Sequence, residues 1–188
     1  MTEFLLQFAQ NIGYFLILPI IIAWSISFLS SLLSQWLTIH TSYTITAILS
    51  FFGVVIHELS HLIVAIIFRH HITEFRLWQI SDDGVLGYVN REYNPSSFYQ
   101  KLGNIFISIA PIVGVTAAIC SLIKFIWVPG LYIRNTFVIL IIGSLLLGFN
   151  LSAADWQNFR RGIPLYLIVI LFIAHKSIIR NIFYLGLN

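Results

Sequence analysis

Stretches of about twenty apolar residues take up most of this chain and limit what it can fold into. A helix needs about 20 mainly apolar residues to cross the hydrocarbon core of a bilayer. The chain of 188 residues is 59% hydrophobic and 9% charged, which is atypical of a soluble domain. The sequence therefore predicts an all-α polytopic membrane protein, with about five transmembrane helices in a single domain, residues 1–188. The five stretches are residues 12–33, 44–68, 102–127, 136–156 and 163–183.

A polar insertion, residues 69–100, follows the second apolar stretch. It contains two segments of strand character, residues 72–81 and 85–93, separated by the turn-forming residues 82–84. We expect a small β-hairpin there. A hairpin at the membrane surface could be an ordinary solvated linker, or its free edge could bind an extended peptide by adding a strand.

The second apolar stretch contains an HExxH motif, His57-Glu58-Leu59-Ser60-His61. On a helix, His57 and His61 project from one face and can share a metal ion, while Glu58 lies beside it. Zinc lowers the pKa of a water molecule that it binds, and a neighbouring carboxylate can take up the proton. The alternative is that the motif arose by chance. Ionisable groups within a spanning helix are costly, however, and usually mark a functional site.

Catalytic zinc usually takes three protein ligands, so the two histidines need a partner. Asp155 is the candidate, because it lies in an apolar helical stretch with Asn150 and Ser152 nearby. It could instead be an interfacial carboxylate close to Arg160 and Arg161. The other carboxylates lie outside the apolar stretches: Glu3, Glu74, Asp82, Asp83 and Glu92.

These residues resemble the site-2 protease family of intramembrane zinc metalloproteases. The match depends on the motif at 57–61, the hairpin region, Pro111-Ile112-Val113-Gly114 and the segment 150–155. The resemblance covers residues 44–161, the three-helix catalytic core of that family, and implies that helices 12–33 and 163–183 are accessory. The segment 150–155 has no proline, and Trp156 stands where the family has glycine. The pattern therefore resembles a short, divergent member of that family.

The resemblance implies that His57, His61 and Asp155 hold Zn²⁺ and that Glu58 activates water for peptide-bond cleavage. Asn150 would hydrogen bond the substrate backbone or the developing oxyanion. The hairpin region would pair with an unwound substrate.

The function expected is that of a metalloendopeptidase that cuts within or near a transmembrane segment. Its substrate would be a single-span helix or a signal peptide, cleaved in regulated intramembrane proteolysis or in the clearance of signal-peptide remnants. One alternative is an inactive relative that binds membrane partners, and a less favoured one is a metal-handling transporter. The net charge of +3 indicates no nucleic-acid partner.

The expected location is a multi-pass position in a bilayer, in the plasma membrane of a prokaryote. With five spans, six of the ten lysines and arginines fall on the side of the amino terminus. This weak bias favours a cytoplasmic amino terminus.

Overall fold

The computed structural model describes residues 2–185, with side chains described for residues 5–173. Two cations of the charge comparison, Lys176 and Arg180, lie outside the described side chains. The described chain is mostly helical, with one small antiparallel sheet of two strands, β1 (His71–Arg76) and β2 (Tyr88–Glu92). The helices are α1 (Thr2–Ile12), α2 (Leu18–His40), α3 (Tyr43–Leu49), α4 (Phe51–Ile67), α5 (Phe98–Ser121), α6 (Tyr132–Leu147) and α7 (Ala153–Leu185).

Two helical runs in the described part of the chain are long and apolar enough to cross a membrane. Helices α1 and α2 join through a π-helical turn, Gly13–Ile17, and give one run, Leu5–His40. Helix α5 continues through a second π-helical turn, Leu122–Ile126, and gives the other, Phe98–Ile126. A third span exists if α3 and α4 are counted as one bent helix. The structure therefore supports a membrane protein, but five transmembrane helices are not confirmed.

The predicted helix over residues 44–68 is divided at Ser50, where α3 and α4 meet at an angle of 62°. The buried Ser50 hydroxyl donates a hydrogen bond to the Ala47 carbonyl at 3.1 Å. Serine side chains that bond to nearby backbone carbonyls compete with regular helix and often bend it. Hydropathy does not detect such a bend, because apolar residues continue on both sides of it.

The predicted fourth and fifth helices have wrong boundaries. Helix α6 ends at Leu147, and the chain is non-helical from 148 to 152. Helix α7 then runs without a break through residues 157–162, where the sequence predicts a loop. The run Leu5–His40, called the first long helix from here on, hydrogen bonds to the backbone groups freed by this break. Ser30 donates its hydroxyl to the Leu147 carbonyl at 2.8 Å, and Ser27 accepts the Leu151 N–H at 3.0 Å.

Two glycines allow α4 to approach the end of α6 closely. A Cβ atom added to Gly148 would lie 2.5 Å from the Val54 nitrogen and 2.6 Å from the Gly53 carbonyl carbon. Real Cβ atoms do not come so close to backbone atoms, so only glycine fits here. The contact joins the start of the motif helix to the break that precedes α7.

The expected hairpin is present, with strands shorter than predicted. Strand β1 pairs antiparallel with β2, from His71 opposite Glu92 to Arg76 opposite Tyr88, with one irregularity near Ile72. The connection between them turns at Gly84, whose φ of 79° favours glycine. The hairpin follows α4 directly and therefore lies next to the HExxH motif.

Candidate metal centre

His57 and His61 lie one helical turn apart on α4, and both are buried, with 4% and 6% of their surface exposed. Their Nε2 atoms are 3.1 Å apart. The spacing of four residues places them on one face of the helix, as the motif predicts.

Asp155 reaches the histidines from the first turn of α7, just after the break. Its Oδ1 is 3.1 Å from His61 Nε2, and its Oδ2 is 3.8 Å from His57 Nε2. Ser152 fixes the carboxylate, because its backbone N–H and its hydroxyl both donate to Oδ2, at 2.8 and 2.7 Å. Because α7 begins just after the break, Asp155 in its first turn lies against the histidines of α4.

The three side chains are spaced closely enough for a zinc ion, and their chemistry suits one. Ligands about 2.0–2.1 Å from zinc at tetrahedral angles lie roughly 3.3 Å from one another. Here the two Nε2 atoms are 3.1 Å apart, His61 Nε2 is 3.1 Å from Asp155 Oδ1, and His57 Nε2 is 3.8 Å from the other carboxylate oxygen, Oδ2. Two imidazoles and one carboxylate form a common catalytic zinc set, with a fourth position left open.

The hydrogen bonds of His61 orient it for the same role. Its Nδ1 donates to the Ile107 carbonyl of α5 at 2.7 Å. In a neutral imidazole the other nitrogen then carries a lone pair, so Nε2 points that lone pair at His57 and Asp155. Lone pairs converging on one buried point repel each other unless a metal ion or a shared proton lies between them. His57 Nδ1 is buried and has no hydrogen-bond partner among the described residues.

Glu58 faces a cavity of about 250 Å³ between the metal centre and the hairpin. The hairpin touches Glu58 at Gly87, where an added Cβ would lie 2.7 Å from the Glu58 Cγ. The cavity therefore has His61 and Asp155 on one wall and β2 on the other. Its lining consists of Glu58, His61, Val85, Gly87, Tyr88, Val89, Asn90, Arg91, Ile107, Ser152, Ala154, Asp155 and Asn158.

Four polar residues of this lining were not predicted as site residues from the sequence: Tyr88, Asn90, Arg91 and Asn158. No sequence signal marks them, since Arg91 resembles any cation of a solvated hairpin and Asn158 any polar residue near a helix start. They become notable only when the fold brings them to the cavity.

Asn150 is not among the residues that line this cavity. Its side-chain oxygen accepts a hydrogen bond from the Ser27 hydroxyl at 2.9 Å, on the side of the first long helix. A role of Asn150 in binding substrate stays a prediction.

A second cavity, also of about 250 Å³ and almost wholly apolar, reaches Asp155 from the other side. It lies between the first long helix, α5 and α7, with Ile20, Ile105, Ile112 and Trp156 in its walls. The candidate metal centre is thus bordered by a cavity under the hairpin whose lining includes charged and polar side chains, and by an almost wholly apolar cavity between helices.

Comparison with known proteins finds no match: no protein-family model, no curated protein and no solved structure resembles the chain significantly. The resemblance to the site-2 proteases therefore depends on the motifs alone.

Proposed function

We propose that this protein is an intramembrane zinc metalloprotease, a divergent short member of the site-2 protease family. Its substrate is a membrane-anchored protein, a single-span helix or a signal peptide, cut within or near the transmembrane segment. The observation that carries the proposal is the convergence of His57, His61 and Asp155, with Glu58 beside them at a cavity.

The chemistry follows from these residues. His57, His61 and Asp155 would hold a zinc ion, which would supply Lewis-acid chemistry by making water more acidic and polarising the scissile carbonyl. Glu58 takes the proton from the attacking water and delivers it to the leaving amine. Ser152 keeps the Asp155 carboxylate in position through two hydrogen bonds. Burial of the histidines excludes bulk water that would weaken these interactions.

The two cavities suit a substrate that comes from the membrane. A helical substrate must unwind before cleavage, because its amide groups are already paired. The apolar cavity beside Asp155 suits the side chains of such a segment, while the polar cavity under β2 suits the freed backbone. The proposal places the protein in the plasma membrane of a prokaryote, with several spans and a cytoplasmic amino terminus.

An inactive relative that binds membrane partners is the second candidate, since the metal ligands alone would serve it equally well. Glu58 at the cavity favours catalysis, because a scaffold needs no base. A metal transporter is less favoured, since the sequence has no paired repeats with matching broken helices.

The test is Glu58→Gln in purified protein, assayed on a tagged single-span substrate in liposomes. Because general-base catalysis contributes roughly 10²- to 10⁴-fold, cleavage should fall by at least about 100-fold. Zinc content by metal analysis should remain unchanged, because the ligands are intact.

The matched control is Glu92→Gln, which removes an exposed carboxylate of β2 that does not line the cavity. We expect it to cleave at the wild-type rate. Cleavage by Glu58→Gln at the wild-type rate would contradict the protease proposal.

A further inference from the structure

Arg91 is a cation next to the candidate metal centre, and it makes no ion pair with any residue that the structure describes. It lies on β2, is half-buried, and lines the same cavity as Glu58, His61 and Asp155. Its Nε is buried and has no hydrogen-bond partner in the part of the chain that the structure describes. A buried polar group without a partner is costly, and in a native structure it needs an explanation.

The nearby carboxylates do not supply that partner. Asp155 turns Oδ1 towards His61 and accepts two hydrogen bonds from Ser152 on Oδ2. Among the described residues, the only ion pairs are those of Asp155 with the two histidines. Burial lowers the pKa of the Arg91 guanidinium, an effect partly offset by the charge of Asp155 and by Tyr93. Burial therefore removes water from the Arg91 guanidinium, and no ion pair with a described residue replaces that water.

An anionic group arriving in the cavity would supply the missing contact. We propose that Arg91 is a specificity-determining residue that binds a carboxylate of the peptide substrate. This inference rests on the proposed function and names the substrate class: peptides with a negative charge close to the scissile bond. A guanidinium matches a carboxylate with two parallel hydrogen bonds, whereas a neutral peptide carbonyl uses only part of its donors.

The carboxylate has two sources, which share this chemistry. One is the free carboxyl terminus of a membrane-bound remnant, and the other is an aspartate or glutamate side chain within a longer substrate. A terminal carboxylate at Arg91 would make the protein trim peptides from their ends, whereas a side chain would make it cut internally next to an acid.

The experiment measures binding without cleavage. Protein carrying Glu58→Gln, in nanodiscs of zwitterionic lipid, is titrated into fluorescently labelled short apolar peptides, and anisotropy gives Kd. Four peptides are compared: one with a free carboxyl end, one amidated, one amidated with a single internal Glu, and one amidated with Gln in its place. The first and second peptides test a terminal carboxylate, and the third and fourth test an acidic side chain.

One carboxylate peptide should bind about 10- to 100-fold more tightly than its amide counterpart, the range expected for hydrogen bonds to a charged group. Adding Arg91→Gln should abolish this preference. Arg91→Lys keeps the positive charge but lacks the planar pair of N–H donors, so it should retain part of the preference. The matched control is Arg76→Gln, which removes an exposed cation of the same hairpin and should retain the full preference.

The role of Arg91 would be overturned if the Arg91→Gln variant still preferred the carboxylate peptide. It would also be overturned if the parent protein showed no preference for a carboxylate peptide. Either result leaves the protease proposal standing if the peptides still bind. Absence of binding by all four peptides would instead count against both proposals. Zinc content and thermal unfolding of Arg91→Gln, both expected to equal those of the parent, check that the variant is folded.

Discussion

Substitution of Gly148 by alanine tests whether contact between helices sets the spacing of the metal ligands. The added Cβ would lie 2.5 Å from the Val54 nitrogen, and ordinary contact begins at 3.4 Å. The two segments must therefore separate by about 0.9 Å. Both obstructing atoms belong to backbone, so no side chain can turn aside. Gly148 has φ of −84°, which alanine adopts freely, so the effect is purely steric.

The separation would be transmitted to the metal centre, because Val54 lies one turn before His57 and Gly148 begins the break that leads to Asp155. Metal sites tolerate shifts of about 0.2 Å in ligand distance. We expect zinc affinity to fall by roughly 10- to 100-fold, as when groups that orient ligands are removed. Overpacking should also cost about 1–3 kcal/mol, or roughly 2–12 °C in the midpoint of thermal unfolding.

The assay is zinc titration of the metal-stripped protein in detergent, followed by a thermal scan of the same sample. The control is Gly143→Ala on α6, the helix that ends just before Gly148; an added Cβ at Gly143 meets nothing within 4 Å. That variant should match the wild type in zinc affinity and unfold no earlier. If Gly148→Ala is folded and binds zinc within about twofold of the wild type, the helix contact does not set the ligand spacing.

Two further predictions concern the cavity. Asp155→Ala should reduce zinc affinity by more than roughly 100-fold, which is the upper cost of losing a group that only hydrogen bonds to a ligand. Metal analysis checks this, with Asp82→Ala in an exposed turn as the control. Stoichiometric zinc in Asp155→Ala would mean that another residue is the third ligand. Gly87→Ala should push the hairpin away from Glu58 and lower the cleavage rate by about 10-fold or more while zinc content stays constant, because misplacement by about 1 Å can cost 100-fold in rate. Wild-type cleavage by this variant would show that the contact with Glu58 is unimportant.

The local features of this protein could be predicted from its sequence. A spacing of four residues places His57 and His61 on one helix face whatever the rest of the fold does. The hairpin follows from strand-forming residues on both sides of a glycine turn. Asp155 is predicted as the third ligand because a carboxylate in an apolar stretch is unusual. The structure places it beside the histidines. Its role as a ligand stays a prediction.

Features that depend on distant residues could not be predicted. Hydropathy depends only on which residues are apolar and contains no information on hydrogen bonds. It therefore predicts one helix that continues across Ser50 and another that continues across the break at 148–152. That break exists where Ser27 and Ser30, far away in sequence, bind its free backbone groups. The isolation of Arg91 likewise appears only once β2 is packed against the metal centre.

The bonds made by Ser27 and Ser30 bear on the smallest functional unit of this protein. The resemblance treats the first helix as accessory, which implies that a fragment limited to residues 44–161 would be a minimal enzyme. Such a fragment would leave the Leu147 carbonyl and the Leu151 N–H without these partners beside apolar helices. Each unpaired group costs several kcal/mol in a lipid environment. A replacement membrane anchor could not substitute for the first helix unless it offered hydroxyl groups at the same two positions.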